Sequence, residues 1–388
     1  IVLKAVCYIY FTTISKKINN MNKLFFTISI LCICLTSCNQ SNNKQIESNI
    51  IDFDNLSDSE FEIKDIEYIP LETKEYCLLG DINKIIYKND KFYILDRDQN
   101  KGVYIFDKDG KFISSINKQG EGAGEYIEII DMDVDNENNI YVADNAQSNI
   151  IKYAQADPDN YEVIHVGEHF LEFCYLDKQS FILRDVFGPE GQKMKLACFN
   201  HTKNTVTSIL DRKYKNINEM DIMRCSKHYL YRSNGQIYYN ERFTPTIYSI
   251  SPKGELIDQY TIFTKYYISE DGLKELEKNP GKFIQETDHV KDIISLYENE
   301  EYFVCMPFIT PSATYVLIPK NKALQTKKID LMNEMALQGT SQIEGVAKNK
   351  FFVLMNYSEL QAKLQKDNSK LKSWNEESNP VLVLFSIK

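Results

Sequence analysis

The chain has 388 residues, 43% of them hydrophobic and 12% aromatic, and a formal net charge of −10. That balance excludes a disordered, collagenous or disulfide-scaffold protein, and it makes a poor nucleic-acid binder, since phosphate contacts need Lys/Arg-rich faces. The aromatic set, 25 Tyr and 21 Phe against one Trp, is that of a strand-former, because both rings fit a pleated, half-buried surface.

The first Met is Met21, so residues 1–20 read as an upstream or non-native leader. From Met21 the chain passes Lys23, the apolar run Leu24–Leu35 and the small residues Thr36 and Ser37 before Cys38. This is the pattern of a secretory signal over residues 21–37. Twelve apolar residues rise about 18 Å as a helix, too short for a hydrocarbon core of about 30 Å. Leu35-Thr36-Ser37-Cys38 resembles the lipobox of bacterial lipoproteins, which implies cleavage before Cys38 and lipid attachment to its thiol. An ordinary signal peptide with a chance cysteine is the alternative. Residues 38–60, opening on the polar run Asn39–Gln45, read as a lipidated tether, and a lipid with its acyl partners gives stable two-signal anchoring. The expected address is extracytoplasmic and lipid-anchored, in the outer membrane of a Gram-negative bacterium, with the periplasmic or surface face left open.

Removing residues 1–37, which hold four Lys and no acid, leaves 351 residues with a net charge of −14. Five cysteines then remain besides Cys38: Cys77, Cys174, Cys198, Cys225 and Cys305. Their scatter fits neither a disulfide framework nor a zinc site.

A repeat runs through the rest. Lys91–Asp96 (KFYILD) and Asn139–Asp144 (NIYVAD) are β-type runs closed by Asp, each followed by a second run, Val103–Phe106 and Ile150–Tyr153. The tracts between are polar and turn-forming, so each unit reads as a hairpin. The pair recurs around Ile182, Tyr238, Phe303 and Phe352, with gaps of 48, 41, 56, 65 and 49 residues counted from Tyr93, in the range of four-stranded propeller blades. Third runs follow the first five pairs, at 111–116, 162–166, 205–210, 255–260 and 325–329. The sixth lacks one, and Phe61–Ile69 is free to supply it. The expectation is an all-β, six-bladed β-propeller over residues 61–388, closed by an N-terminal strand, with helical insertions at 269–278, 281–297 and 358–374.

Asp131–Asp144 resembles an NHL-type propeller blade, and Gly120–Tyr126 resembles the Gly-rich connection between such blades. Tyr68–Thr73 followed by Leu79–Lys84 resembles the opening of the six-bladed β-propeller lipoproteins of Gram-negative bacteria. The resemblance implies a fold and an address rather than a reaction.

The chemistry in the sequence is sparse. Asp131, Asp133 and Asp135 are spaced like the start of an EF-hand, but Asn136 and Val142 stand where its Gly and last carboxylate belong. They read instead as acids in a turn. His165 and His169 flank Glu168 at a strand end, where helical metal-ligand geometry is absent. The polar feature tied to the repeat is Asp96, Asp144 and Asp185, each closing a first run. They are turn caps or else ligand-binding carboxylates around one mouth of the channel. No cofactor is called for, with Ca²⁺ the one metal such a ring would suit. Trp374, beside the last insertion, is a packing residue or a binding anchor. The expected work is that of a binding module for a protein or glycan partner, at face loops. The alternative is a hydrolase or lyase at the channel mouth, which two or more convergent carboxylates with a His would favour.

Overall fold

The computed structural model describes residues 49–56, 61–188, 191–211, 227–278, 290, 292–308, 314–331, 342–364 and 371–388. Two strands precede the first blade: β1 (Asn49–Asp52) and β2 (Ile63–Pro70). Blade 1 is β3 (Ile82–Lys88), β4 (Lys91–Asp96), β5 (Gly102–Asp107) and β6 (Phe112–Ile116). Blade 2 is β7 (Ile129–Val134), β8 (Ile140–Asp144), β9 (Asn149–Tyr153) and β10 (Tyr161–His165). Blade 3 is β11 (Glu172–Asp177), β12 (Ser180–Gly188), β13 (Gly191–Asn200) and β14 (Thr205–Asp211). Blade 4 is β15 (Leu230–Ser233), β16 (Gln236–Asn240), β17 (Thr246–Ile250) and β18 (Leu256–Phe263). Blade 5 is β19 (Ile293–Glu298), β20 (Tyr302–Pro307), β21 (Tyr315–Pro319) and β22 (Lys327–Ile329). Blade 6 is β23 (Ile343–Ala347), β24 (Lys350–Met355) and β25 (Val381–Ile387), completed by β2.

The chain is therefore a six-bladed β-propeller of antiparallel four-stranded sheets. Its ring is closed as expected, with β2 pairing antiparallel to β25 from Ile63 opposite Ile387 to Pro70 opposite Val381. The last strand thus meets a partner drawn from the start of the fold, and no open edge is left there.

Each second strand is buried on both faces, which explains its unbroken apolar run. In β4, Phe92 and Ile94 pack with Phe352 and Leu384 of blade 6, while Tyr93 and Leu95 pack with Met132 and Val142 of blade 2. Successive side chains point to opposite faces of a strand, so KFYILD serves two interfaces at once. Phe92 meets Phe352 edge-on at 6.1 Å between ring centres.

Three expectations are corrected. Asp131 and Asp133 lie within β7, and only Asp135 sits in the following turn, where its Oδ1 accepts from the N–H of Glu137 and Asn139. The helix read over 281–297 ends in a strand, since Ile293–Glu298 is β19; residues 281–289 and 291 lie outside the described residues. Residues 49–56, placed in the tether, pack on the propeller instead: β1 runs parallel to β18, Ile51 and Phe53 are buried, and Asp54 accepts from Thr264 Oγ1 at 2.8 Å and Lys265 N at 2.7 Å.

Two helices interrupt the blades. Helix α1 (Glu270–Lys278) begins after Ser269, whose Oγ accepts from Gly272 N at 3.1 Å as an N-cap does. Helix α2 (Tyr357–Leu364) opens the expected span of 358–374; residues 365–370 lie outside the described residues, and residues 371–374 form a turn. Both helices lie at the end of the ring where second strands pass to third strands and blade passes to blade.

Candidate functional site

The six innermost strands, β3, β7, β11, β15, β19 and β23, line the channel. They are not hydrogen-bonded to one another as a sheet, so their inner backbone groups need other partners. Side chains of the preceding blade supply them. Asp131 Oδ2 accepts from Phe173 N at 2.9 Å, and Asp133 Oδ2 from Tyr175 N at 2.8 Å. Glu172 Oε2 accepts from Tyr229 N at 2.9 Å and Leu230 N at 3.0 Å. Asn240 Oδ1 accepts from Ile293 N at 3.1 Å, and Ser295 Oγ donates to the Ile343 carbonyl at 3.0 Å. The acids of the innermost strands thus stitch blade to blade.

Cations complete this wall. Lys84 Nζ lies 2.8 Å from Asp131 Oδ1, and Arg232 Nη2 lies 3.0 Å from Asp133 Oδ2, joining blade 1 to blade 2 and blade 4 to blade 2. Burial pushes the Asp131 carboxyl up to about 6 against the pull of Lys84. At Asp133 burial also pushes upward, but Arg232 and Lys84 together hold the carboxyl below its usual value. His228 is buried in the same wall, and its desolvation with Lys84 and Lys227 nearby keeps the imidazole neutral. Cys174 is buried there too, and desolvation lifts its thiol to about 12, which removes it as a nucleophile at neutral pH.

At the end where first and second strands join, the channel opens into a cavity of about 360 Å³, near the lower limit of about 300–1,000 Å³ for small-molecule sites. Its wall includes Tyr87, Tyr231, Tyr297 and Phe352, and the amides Asn136 and Asn234. Lys88, Lys348, Glu298 and Glu300 stand among them. The hairpins that carry these residues are tight: Asn89, Asn138, Asn234 and Asn349 all have φ between 47° and 64°, a region Asn tolerates better than most residues.

The opposite end differs. On blades 3 to 5, Arg184 pairs with Asp185 and, at 3.1 Å, with Glu172; Lys195 lies 3.6 Å from Asp185. Arg242 Nε lies 3.0 Å from Asp292 Oδ1, and Tyr229 Oη donates to Asp292 Oδ2 at 3.2 Å. The Arg184 guanidinium stacks over the Tyr229 ring at 4.5 Å. All of these side chains are buried, as three cations and three carboxylates that neutralise one another.

The repeat-linked aspartates lie at this end as well. Asp96 is fully buried and accepts from Gly80, Gln99 and Asn100 N–H groups at 2.7, 3.2 and 3.1 Å. Asp144 is equally buried and accepts from Ile127, Glu128 and Ala146 N–H groups, each at 3.1 Å. Both clamp the loop entering a blade to the turn leaving its second strand. Asp185 departs from the pattern, sitting within β12 at φ 49° and joining the ion cluster. At the end of the second strand of blade 4, Asn240 donates to the Thr244 and Thr246 carbonyls.

The remaining candidates are hydrogen-bonded within the fold. His165 Nδ1 meets Asn149 Oδ1 at 2.9 Å, His169 Nδ1 meets the Asn145 carbonyl at 2.9 Å, and His201 Nε2 meets the Lys178 carbonyl at 2.8 Å. Trp374 Nε1 donates to the Asn379 carbonyl at 2.8 Å and its ring abuts Tyr357. Among the described residues no group of three His, Cys, Asp or Glu side chains is placed to hold a metal ion, and no helix is long and apolar enough to cross a membrane. Cys38, Cys225 and His289 lie outside the described residues. The mouth residues Lys88, Arg232 and Asn234 carry no signal in the linear sequence, because they converge only once the ring closes.

Two solved structures share this architecture. A crystal structure of a Bacteroides fragilis protein assigned as exported is 19% identical, with 88% of this chain and 99% of that one covered and a TM-score of 0.68. A DUF4221 family member from Bacteroides vulgatus is 13% identical over 86% of this chain and 99% of that one, with a TM-score of 0.50. At such identities the likeness is one of fold. No curated protein matches the sequence. A family model does match residues 43–386, nearly the whole propeller, and the chain accordingly belongs to DUF4934, a domain of unknown function.

Proposed function

We propose that this propeller is an exported, lipid-anchored binding module that takes a glycan at the channel mouth where first and second strands join. The observation that carries the reading is the 360 Å³ cavity, whose wall combines Tyr87, Tyr231 and Tyr297 with amides and charged groups. Such a mixture suits sugars, whose apolar ring faces stack on aromatics while their hydroxyls bond to amides and carboxylates. The lipobox-like Cys38, and a fold shared with a protein assigned as exported, support an extracytoplasmic address in a Gram-negative outer membrane. The NHL-type character of Asp131–Asp144 belongs to the same reading, as does a boundary between signal and mature chain at Cys38.

A hydrolase or lyase at the channel has one observation in its favour: Asp131, Asp133 and His228 all belong to the channel wall. Each carboxylate, however, already accepts two backbone N–H groups and faces a cation, Asp131 from Met132 and Phe173, Asp133 from Val134 and Tyr175. Carboxylates so engaged act as inter-blade stitches rather than as an acid and a base, and binding is the better reading. The test is a saccharide panel titrated calorimetrically against the detergent-solubilised full chain. Saturable binding without turnover of the sugar supports the module, product formation would favour the enzyme, and silence across the panel would sink the glycan reading. For the anchor, Cys38→Ala is expected to leave the detergent phase for the aqueous phase, and unchanged partitioning would contradict lipid attachment.

A further inference from the structure

We propose that Lys88 is the anion-recognition residue of this mouth and that the glycan it selects is an acidic saccharide bearing one carboxylate. The inference deepens the glycan reading and rests on it.

Five cations stand in or just behind the mouth, and four have a carboxylate partner. Lys84 pairs with Asp131 at 2.8 Å, Arg232 with Asp133 at 3.0 Å, Lys348 with Glu67 at 3.0 Å and Lys320 with Glu298 at 2.6 Å. Lys88 has no such partner among the described residues; its Nζ donates to the Val134 carbonyl at 2.9 Å. An ammonium has three donors, so two remain for a ligand. Lys88 is half-buried, and desolvation draws its pKa below the usual lysine value. A partly dehydrated cation held by one neutral acceptor gains more from an incoming anion than a fully hydrated one does.

The ammonium is also held in place before any ligand arrives. Its carbonyl partner belongs to blade 2, and the next residue, Asn89, donates to Asn138 Oδ1 at 2.8 Å and to the Asn136 carbonyl at 3.2 Å. Ordering a lysine at the moment of binding costs affinity, and here the fold has ordered it already.

Charge in the mouth selects the kind of anion. Asp133, Glu298 and Glu300 line the same cavity, so a phosphate dianion meets about twice the repulsion that a single carboxylate does. Glu300 and the amides of Asn136 and Asn234 are acceptors for sugar hydroxyls, and Tyr87, the half-buried tyrosine of the wall, offers its ring. One ammonium with no carboxylate among the described residues at ion-pair distance, set within a cavity that accepts hydroxyls, describes a receptor for a uronate or a sialate.

The experiment titrates galacturonate, glucuronate and N-acetylneuraminate, each beside its methyl ester, and galactose 6-phosphate, into the detergent-solubilised full chain. At least one free acid is expected to bind tenfold or more tighter than its ester. Lys88→Ala should erase that preference, Lys88→Arg should keep it, and thermal melting of Lys88→Ala should match the wild type. Esters that bind as well as the acids would overturn the anion subsite while leaving the glycan reading intact. A free-acid preference that survives Lys88→Ala would overturn the assignment to Lys88. Galactose 6-phosphate binding as tightly as the best acid would overturn the preference for a carboxylate, and no binding by any sugar would remove both readings.

Discussion

The two ends of the channel are built from the same residue types and put them to opposite uses. At the blade 3–5 end, Arg184, Lys195 and Arg242 are buried against Glu172, Asp185 and Asp292. At the hairpin end, the wall around a 360 Å³ cavity holds a lysine whose protein partner is a neutral carbonyl. A buried charge with its counter-charge in place has little to offer a ligand, and removing its partner leaves a large desolvation cost. A half-buried charge without one is weakly tied to stability and available for recognition. A dense cluster of ionisable groups is therefore a poorer guide to a binding site in this ring than a single one with no ion-pair partner.

That contrast can be broken most sharply at the buried end. Arg242→Ala strands Asp292, which has no exposed surface to speak of, and is expected to lower unfolding stability by about 3–5 kcal/mol with saccharide affinity unchanged in the protein that stays folded. Urea unfolding checks it, and a loss of under about 1 kcal/mol would show the cluster to be structurally idle. The channel wall comes next. Asp133→Ala leaves Tyr175 N–H without its acceptor and Arg232 without its carboxylate partner, though still bonded to the Tyr175 carbonyl, for an expected loss of about 1–3 kcal/mol, and Asp133→Asn should recover part of it by still accepting from Tyr175.

Protonation separates the two neighbours on β7. Asp131 is raised to about 6 from 3.8, so the folded state holds a proton that the unfolded chain has released; stability from this group falls as pH rises from about 4 to 6. Asp133 is lowered, so its contribution is present above about 4 and is lost as pH falls below that value. Asp131→Asn should therefore make the stability profile between pH 4 and 6 rise more steeply, or fall less, than the wild type. An unchanged slope in chemical denaturation would contradict the raised carboxyl. The smallest stability effect is expected at the open end, where Lys88→Ala should stay within about 0.5 kcal/mol of the wild type.

Much of the ring is legible in the linear sequence because second, third and outer strands carry local signatures. KFYILD and NIYVAD are continuous apolar runs since each packs against two blades, and the missing outer strand of the sixth unit left β2 as its natural partner. The innermost strands are harder to see. β7 reads Ile-Ile-Asp-Met-Asp-Val, and its acids looked like turn residues because the N–H donors they serve, Phe173 and Tyr175, belong to another blade. β19 was hidden by apolar residues that happened to fall at helical intervals within 281–297. The candidate site was less legible still. Asp96 and Asp144 stood out because the repeat marks them, and the structure engages both in loop clamps. Lys88 is one lysine at the end of one strand, and what distinguishes it is that no carboxylate among the described residues lies at ion-pair distance, in a cavity lined from five other blades.

Hydrogen exchange with and without a saturating uronate compares the two ends in one measurement. A ligand seated in the hairpin mouth predicts slowed exchange in the turns around Asn89, Asn136, Asn234 and Asn349, with the loops clamped by Asp96 and Asp144 unchanged. Protection confined to those clamped loops would place the ligand at the other end of the channel and contradict the assignment of the mouth.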